Sequence, residues 1–167
     1  GALRRGSGIE EAAREARYAF LREVKTRVGA DLIAVAHTRD DQAETVLMRL
    51  LRGSGTLGLA AMSVRQGDLL RPLLTVTRQE LVDHLRQRGL TWREDPSNDD
   101  RTFTRNRIRH DLLPYLEGQF NPDIRATLAR TARLLADEQE VLAGIAEELF
   151  GRIARHEAGA VIVQRRE

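Results

Sequence analysis

The sequence predicts an α/β fold that runs on into a helical segment. Three observations carry this reading. An apolar run, Leu32-Ile-Ala-Val-Ala36, reads as a buried strand; helix-patterned segments flank it on both sides; and beyond residue 121 apolar residues recur at helical spacing over a long stretch. A chain of 167 residues can bury a core, and that length favours one domain, or one domain plus an appendage. The 41% apolar and 31% charged content is ordinary for a soluble domain, and no apolar run approaches the roughly 20 residues of a membrane span. No charged-then-apolar leader opens the chain, so a cytoplasmic location away from membranes is expected.

The elements follow in order. Residues 9–28 read as a helix with Ala12, Ala16, Phe20 and Val24 along one stripe, stopped by Gly29, and the first six residues read as a loop. A strand over 31–36 and a helix over 40–52 complete a helix, strand, helix alternation. Arg52-Gly-Ser-Gly55 breaks the second helix, and Gly58 is expected to keep the backbone permissive. Leu69-Leu-Arg-Pro-Leu-Leu74 reads as an edge strand or extended segment, because Pro72 cannot donate to a central ladder. Thr77-Arg-Gln-Glu80 fits a capping box, so Thr77 begins a helix that Gly89 ends. Residues 92–103 turn to loop around Asp95-Pro-Ser-Asn-Asp-Asp100, and a helix over 104–116 follows. Asn121-Pro122 then starts a long helix reaching about His156, and 160–164 reads as a strand with no partner nearby. Both ends read as cut, so a fragment of a longer protein is expected.

The net charge is only +2, yet Lys25 is the single lysine among 27 basic residues. Arginine's rigid, permanently charged fork suits phosphate and carboxylate, although GC-rich coding produces the same bias. The densest stretch holds Arg101, Arg105, Arg107, Arg109 and His110, followed by Arg125, Arg130 and Arg133, and is the expected polyanion-facing region. Cysteine is absent, which excludes disulfides, thiolate zinc sites, thiol-ligated iron–sulfur clusters and a cysteine relay within this chain.

The candidate chemistry centres on His37, Asp41 and Glu44. Their i, i+4, i+7 spacing predicts one helical face at the carboxyl end of a strand, where α/β proteins bind ligands. Three readings fit: ligands of a divalent cation, with Asp41 the candidate for magnesium; carboxylates around an ammonium group; or an acid and base beside a reacting centre. Capping of the helix dipole is the structural alternative. Against it, Asp40 and Asp41 together exceed what one cap needs, and Glu44 lies a turn deeper. Arg105 and Arg109 share a face of the 104–116 helix with Ile108 and Leu112 toward the core. They read either as a charged outer face or as phosphate ligands, with Asn106 as a specific hydrogen-bonding group. Trp92 and Tyr115 read as core aromatics or base-stacking platforms. Arg14 and Arg17 beside Tyr18 read as solvated, paired with nearby glutamates. Arg52-Gly-Ser-Gly55 is a weak phosphate cradle, because it follows a helix.

The order of these motifs is more specific than any one of them. Glu10-Glu-Ala-Ala-Arg-Glu-Ala-Arg-Tyr18, His37-Thr-Arg-Asp-Asp-Gln-Ala-Glu44, Leu51-Arg-Gly-Ser-Gly55, Arg71-Pro-Leu-Leu74, Trp92-Arg-Glu-Asp-Pro-Ser-Asn98 and Thr104-Arg-Asn-Arg-Ile-Arg-His110 together resemble the bacterial tRNA(Ile)-lysidine synthetase family of N-type ATP pyrophosphatases. The resemblance implies a Rossmann-like parallel-sheet domain of the adenine nucleotide alpha hydrolase type. Residues 1–118 would form its C-terminal part, and 119–167 a linker helix and the start of a tRNA-binding region. It implies ATP-dependent ligation of free lysine to the wobble cytidine of the isoleucine tRNA with a CAU anticodon. The reaction runs through an adenylated cytidine and releases pyrophosphate and AMP.

By the same resemblance, His37, Asp41 and Glu44 line the lysine and magnesium side of the site. Arg17 joins them as a catalytic residue and, with Arg105 or Arg109, faces ATP or the adenylate, while Arg52 and Arg107 face tRNA. A homodimer is implied. One motif departs from the pattern. The Ser-Gly-Gly-x-Asp-Ser pyrophosphate loop is not found, since Gly6-Ser-Gly8 has no preceding strand and no aspartate in register. The chain alone is therefore expected not to carry out adenylation. Two other readings stand beside this one: another ATP-pyrophosphatase that modifies tRNA, such as a thiolase, against which the lack of cysteine counts, and a non-catalytic tRNA-binding helical module.

Overall fold

The computed structural model describes residues 2–157 and 160–163. Helix α1 spans Ala2–Val28. It starts earlier than expected, because residues 2–6 continue the helix where a loop was predicted, and no proline interrupts them. Gly29, at φ 66°, ends it. The buried face of α1 is not the expected alanine and Phe20 stripe: Tyr18 is the residue that packs on the sheet, with Leu21 beside it, and Phe20 is 59% exposed.

The described sheet is small. Strand β1 is Ile33–Ala34, shorter than the 31–36 run; β2 is Arg65–Gln66 and β3 is Leu69–Leu70. Their order is β1-β3-β2, with β1 and β3 parallel (Ala34 opposite Leu70) and β2 and β3 antiparallel. The segment before Pro72 is thus central and not an edge strand. The pairing ends at Leu70, so the missing proline N–H costs no ladder bond.

Helix α2, Arg39–Leu51, follows β1, and a short α3, Thr56–Leu59, follows the turn. Gly58 matters there for space and not for freedom: a Cβ on it would lie 2.6 Å from the Ser54 Cβ. Helix α4, Arg78–Gln87, carries the predicted capping box, with the Glu80 N–H donating to the Thr77 hydroxyl at 3.1 Å and the Thr77 N–H donating to Glu80 Oε2 at 2.7 Å. The 92–103 loop contains one 3-10 turn, Pro96–Asp99.

The helix predicted over 104–116 is three segments: α5 (Thr104–Arg107), a π turn (Ile108–Leu112) and α6 (Leu113–Gln119). Pro114 explains the π turn. It has no N–H for the carbonyl four residues back and its ring crowds that carbonyl, so the helix widens, and the Leu113 N–H bonds Ile108 O instead. Helix α7 spans Ile124–Ile153 and stops short of His156, because the chain enters β4, Ala154–Glu157. The last strand, β5 (Ala160–Val163), is therefore partnered after all, antiparallel to β4. Gln164 lies outside the described residues.

Two clusters form the core. Tyr18, Ile33 and Leu69 join α1 to the sheet, and Leu47, Ile108 and Leu113 join α2, the π turn and α6, with Ile124 and Leu128 of α7 packed against them. The distal half of α7 keeps its apolar periodicity, but Val141, Leu142, Ile145 and Leu149 are exposed. Among the described residues no helix is long and apolar enough to cross a membrane.

Leu113→Ala is expected to cost about 2–5 kcal/mol, as a fully buried leucine leaves a cavity. Gly58→Ala should also lower the urea midpoint, whereas Gly118→Ala, whose Cβ would meet nothing, should not; equal midpoints for the two would remove the steric argument.

Candidate functional site

The main chain leaves β1 with the Val35 N–H donating to Leu70 O at 2.9 Å, passes His37 and turns at Thr38 into α2. Thr38 is the N-cap. Its hydroxyl accepts from the Asp41 N–H at 3.3 Å, while its own N–H and hydroxyl each donate to Asp41 Oδ2 at 2.8 Å. Asp41 is therefore a capping-box residue. His37 precedes the cap and is off the helix, so the three-residue helical face expected from the spacing does not form. Asp41 and Glu44 do share a face, one turn apart.

That face meets two arginines. Glu44 has 0% exposure, and Arg109 grips it in a fork, Nε to Oε1 at 2.5 Å and Nη2 to Oε2 at 3.0 Å. Arg105 spans both acids, with Nε to Glu44 Oε2 at 2.7 Å and Nη2 to Asp41 Oδ1 at 2.8 Å; Arg109 Nη2 also reaches Asp41 Oδ1 at 3.3 Å. Bidentate, charge-assisted bonds of this kind are the strong ones. The arginines expected to face phosphate are thus held by the carboxylates expected to hold an ammonium. Both oxygens of Asp41 are occupied, so it does not fit the magnesium ligand role, and the described residues contain no group of three His, Asp or Glu side chains suited to a metal ion.

The second acid of the first turn serves a different helix. Asp40 Oδ2 accepts from the Arg78 N–H at 2.8 Å, at the start of α4, and its Oδ1 pairs with Arg125 of α7 at 3.2 Å. One Asp-Asp pair thus ties α2 to itself and to two other helices. Asn106 is buried and gives its amide to Ser97 O and Asp100 O, both at 2.9 Å. It pins the 95–100 loop in place and is not free for nucleic acid. His110 Nε2 lies 3.0 Å from Asn98 O in the same loop.

These elements enclose an open cleft of about 780 Å³. Its walls carry Asp40, Asp41, Glu44, Glu94, Asp95 and Asp99 against Arg78, Arg109 and Arg125. Burial alone would raise the Asp41 carboxyl, but the Thr38 N–H, Arg105, the Thr38 hydroxyl and Arg109 outweigh it and hold its pKa below the ordinary 3.8. Burial pushes the His37 imidazole below its ordinary 6.5; Asp41 opposes this, and Arg71, Arg105 and Arg14 add to it.

Arg17 is exposed on α1, 5.7 Å over the Tyr18 ring, with Arg14 at 5.5 Å. Arg52 and Arg107 are exposed at the surface. Neither Trp92 nor Tyr115 is core: Arg86 lies over the Trp92 indole at 5.8 Å, and Tyr115 packs edge-on against Phe120. Sequence reasoning named Arg71 only within the Arg71-Pro-Leu-Leu74 motif and Arg125 only within the polyanion-facing stretch, and gave neither the role the structure shows. The signal for Arg71 was present, a lone charge inside the apolar run 69–74. Nothing in the sequence marked Arg125 as the partner of Asp40 and Glu117.

Residues 2–116 match the family model of the PP-loop domain. The chain is similar to curated proteins described as tRNA(Ile)-lysidine synthase. It is 50% identical over 157 residues to that of Geobacter sulfurreducens (92% of this chain, 33% of the relative). It is 45% identical to that of Thermobifida fusca (89% and 46%) and 49% identical to that of Thermus thermophilus (86% and 28%). The chain spans between about a quarter and a half of the length of these relatives. Among solved structures it resembles the U34-tRNA thiolase NcsA from Methanococcus maripaludis with its [4Fe-4S] cluster, at a TM-score of 0.57 and 20% identity, over 74% of this chain and 43% of that one. That likeness concerns the fold.

Glu44→Gln leaves two guanidiniums with one shared oxygen of Asp41 as their charge partner and should cost about 3–5 kcal/mol in urea denaturation; a loss under about 1 kcal/mol would mean the cluster is merely a solvated surface pair. Asp41, with its lowered folded pKa, contributes stability that is complete above its unfolded value near 3.8 and is lost as pH falls through the folded value. Asp41→Asn, which can still cap, should therefore flatten the fall in denaturation midpoint between about pH 5 and about pH 2.

Proposed function

The chain belongs to the PP-loop domain family, and we propose that it forms the lysine-accepting part of an ATP-using ligase, a tRNA(Ile)-lysidine synthase like the relatives so described. The observation that carries this reading is the acidic cleft beside the Asp41 and Glu44 carboxylates. Six carboxylates against three arginines favour a ligand with net positive charge, and free lysine carries two ammonium groups and one carboxylate.

Asp41 binds charge and does not take protons, since its pKa lies below the ordinary range. Lysine enters by exchange. Its ammonium replaces a guanidinium on Asp41, and the released Arg105 or Arg109 turns to the phosphate of the adenylated cytidine, where it stabilises developing negative charge. Holding the amine against the cytidine makes attack effectively intramolecular. His37, whose lowered pKa keeps it neutral near pH 7, borders the same centre. Arg17 faces the nucleotide from α1, while Arg52 and Arg107 meet the tRNA backbone with their exposed charges. ATP supplies the activating group; magnesium enters with its phosphates and not on Asp41. By family resemblance the whole protein is a homodimer. A thiolase reading is disfavoured, because the chain contributes no cysteine thiolate for a cluster.

The test uses the whole protein that contains this chain, assayed for AMP release dependent on both lysine and isoleucine tRNA. Asp41→Ala should lower the rate about 100-fold, the loss expected for removing about 3 kcal/mol of charge pairing. An unchanged rate would sink the site assignment. Tight tRNA binding without any AMP release would favour the non-catalytic module.

A further inference from the structure

Trp92 is the single tryptophan of the chain, and it stands 38% exposed, outside both core clusters. The end of α4 puts it there. Gly89, at φ 64°, closes the helix: its N–H donates to Arg86 O and the Leu90 N–H donates to Leu85 O, both at 3.0 Å. A paired closure of this kind reverses the chain. The reversal brings Trp92 back beside the last turn of α4, where the Arg86 guanidinium lies over the indole, 5.8 Å from the ring centroid.

A staple that seals the end of α4 is the structural alternative. Such a staple buries apolar surface, whereas Leu90, the position that ordinarily covers this closure, is 52% exposed. The surroundings are instead those of a surface for a polyanion. The segment His84-Leu-Arg-Gln-Arg-Gly-Leu-Thr-Trp-Arg93 contains three arginines and no acid, and all three are exposed. Arg86 pairs with Asp83 at 3.2 Å, and none of the ion pairs among the described residues includes Arg88 or Arg93. Trp92 is also tied to the cleft, since its Nε1–H donates to Glu94 Oε1 at 3.5 Å and Glu94 lines the cleft wall. Beyond Glu94 the loop is pinned by Asn106 through Ser97 O and Asp100 O, which gives the indole an anchored support.

We infer that Trp92, backed by Arg86, is a stacking platform for an unpaired nucleobase of RNA, with Arg88 and Arg93 attracting the neighbouring backbone phosphates. An indole face accepts any base, and a guanidinium on the same ring adds positive charge beside the phosphates that flank the base. The inference rests on the tRNA-ligase reading for its RNA: the base on Trp92 is a neighbour of the cytidine that enters the cleft. Stacking of this kind holds a base without reading its identity. Trp92 is therefore a positioning residue that contributes to RNA binding and not to the chemical step.

The test uses the whole protein that contains this chain, with a hairpin RNA whose loop carries CAU and a fully paired RNA duplex of equal length. Subtracting the emission of Trp92→Phe leaves the fluorescence of Trp92 itself. The hairpin should quench that component and the duplex should not, because paired bases offer no free face. In the assay of AMP release, Trp92→Leu should raise the KM for tRNA about tenfold, with kcat and the KM for lysine unchanged. Trp92→Phe restores an aromatic face and should keep the KM for tRNA within about threefold. Equal quenching by duplex and hairpin, quenching by neither, quenching by free lysine instead, an unchanged KM in Trp92→Leu, or equal losses in the two variants would each overturn the platform. A Trp92→Leu protein that fails to fold by circular dichroism would make the indole a structural staple and likewise overturn it. The two readings fail separately: an unchanged KM with AMP release intact removes the platform alone, and hairpin quenching without any AMP release removes the ligase reading alone.

Discussion

Glu44 is a carboxylate taken entirely out of water at the heart of α2, and such a group persists only where opposite charge and hydrogen bonds replace its hydration. Arg105 and Arg109 do this with three bonds to its two oxygens. The rest of the described site depends on that arrangement. It fixes α5 and the π turn against α2, and this brings Ile108 and Leu113 onto Leu47 and gives α7 a surface on which Ile124 and Leu128 pack. The π turn forced by Pro114 lies within this contact, consistent with the tendency of widened turns to fall at functional sites.

The same ion cluster limits what the site can do at rest. Two carboxylates and two guanidiniums neutralise one another, so a cationic or anionic ligand engages this face only by exchange, displacing one partner and freeing the other. The acidic cleft opens beside it, with Asp41, Glu44 and Arg109 in its lining.

Much of the site was legible in sequence because local rules governed it. The capping box at Thr77, the common face of Arg105 and Arg109, and the core side of Ile108 follow from residue type and helical period alone. Where the reading failed, a longer-range partner had intervened. His37 fell off the expected helix because Thr38, a stronger cap, starts the helix after it. The sequence over 69–74 read as an edge for want of knowing that its pairing ends at Leu70. The 154–156 segment left the helix because a Val-Ile-Val strand pairs with it.

Residue type and spacing by themselves determined that α2 would begin with an acidic first turn, that an arginine-rich helix would present two cations four apart, and that the motifs occur in the order found in a tRNA-modifying family. Only the tertiary structure decided which charge meets which. Asp40 and Asp41 are neighbours in sequence, yet one caps its own helix and the other caps α4 and holds Arg125, 85 residues away. Arg105 and Arg109 find Glu44 while Arg71, equally charged and more deeply buried, pairs with no acid among the described residues. Charge pairing acts over a few ångströms, and distances of that size are set by how the helices pack and not by separation along the chain.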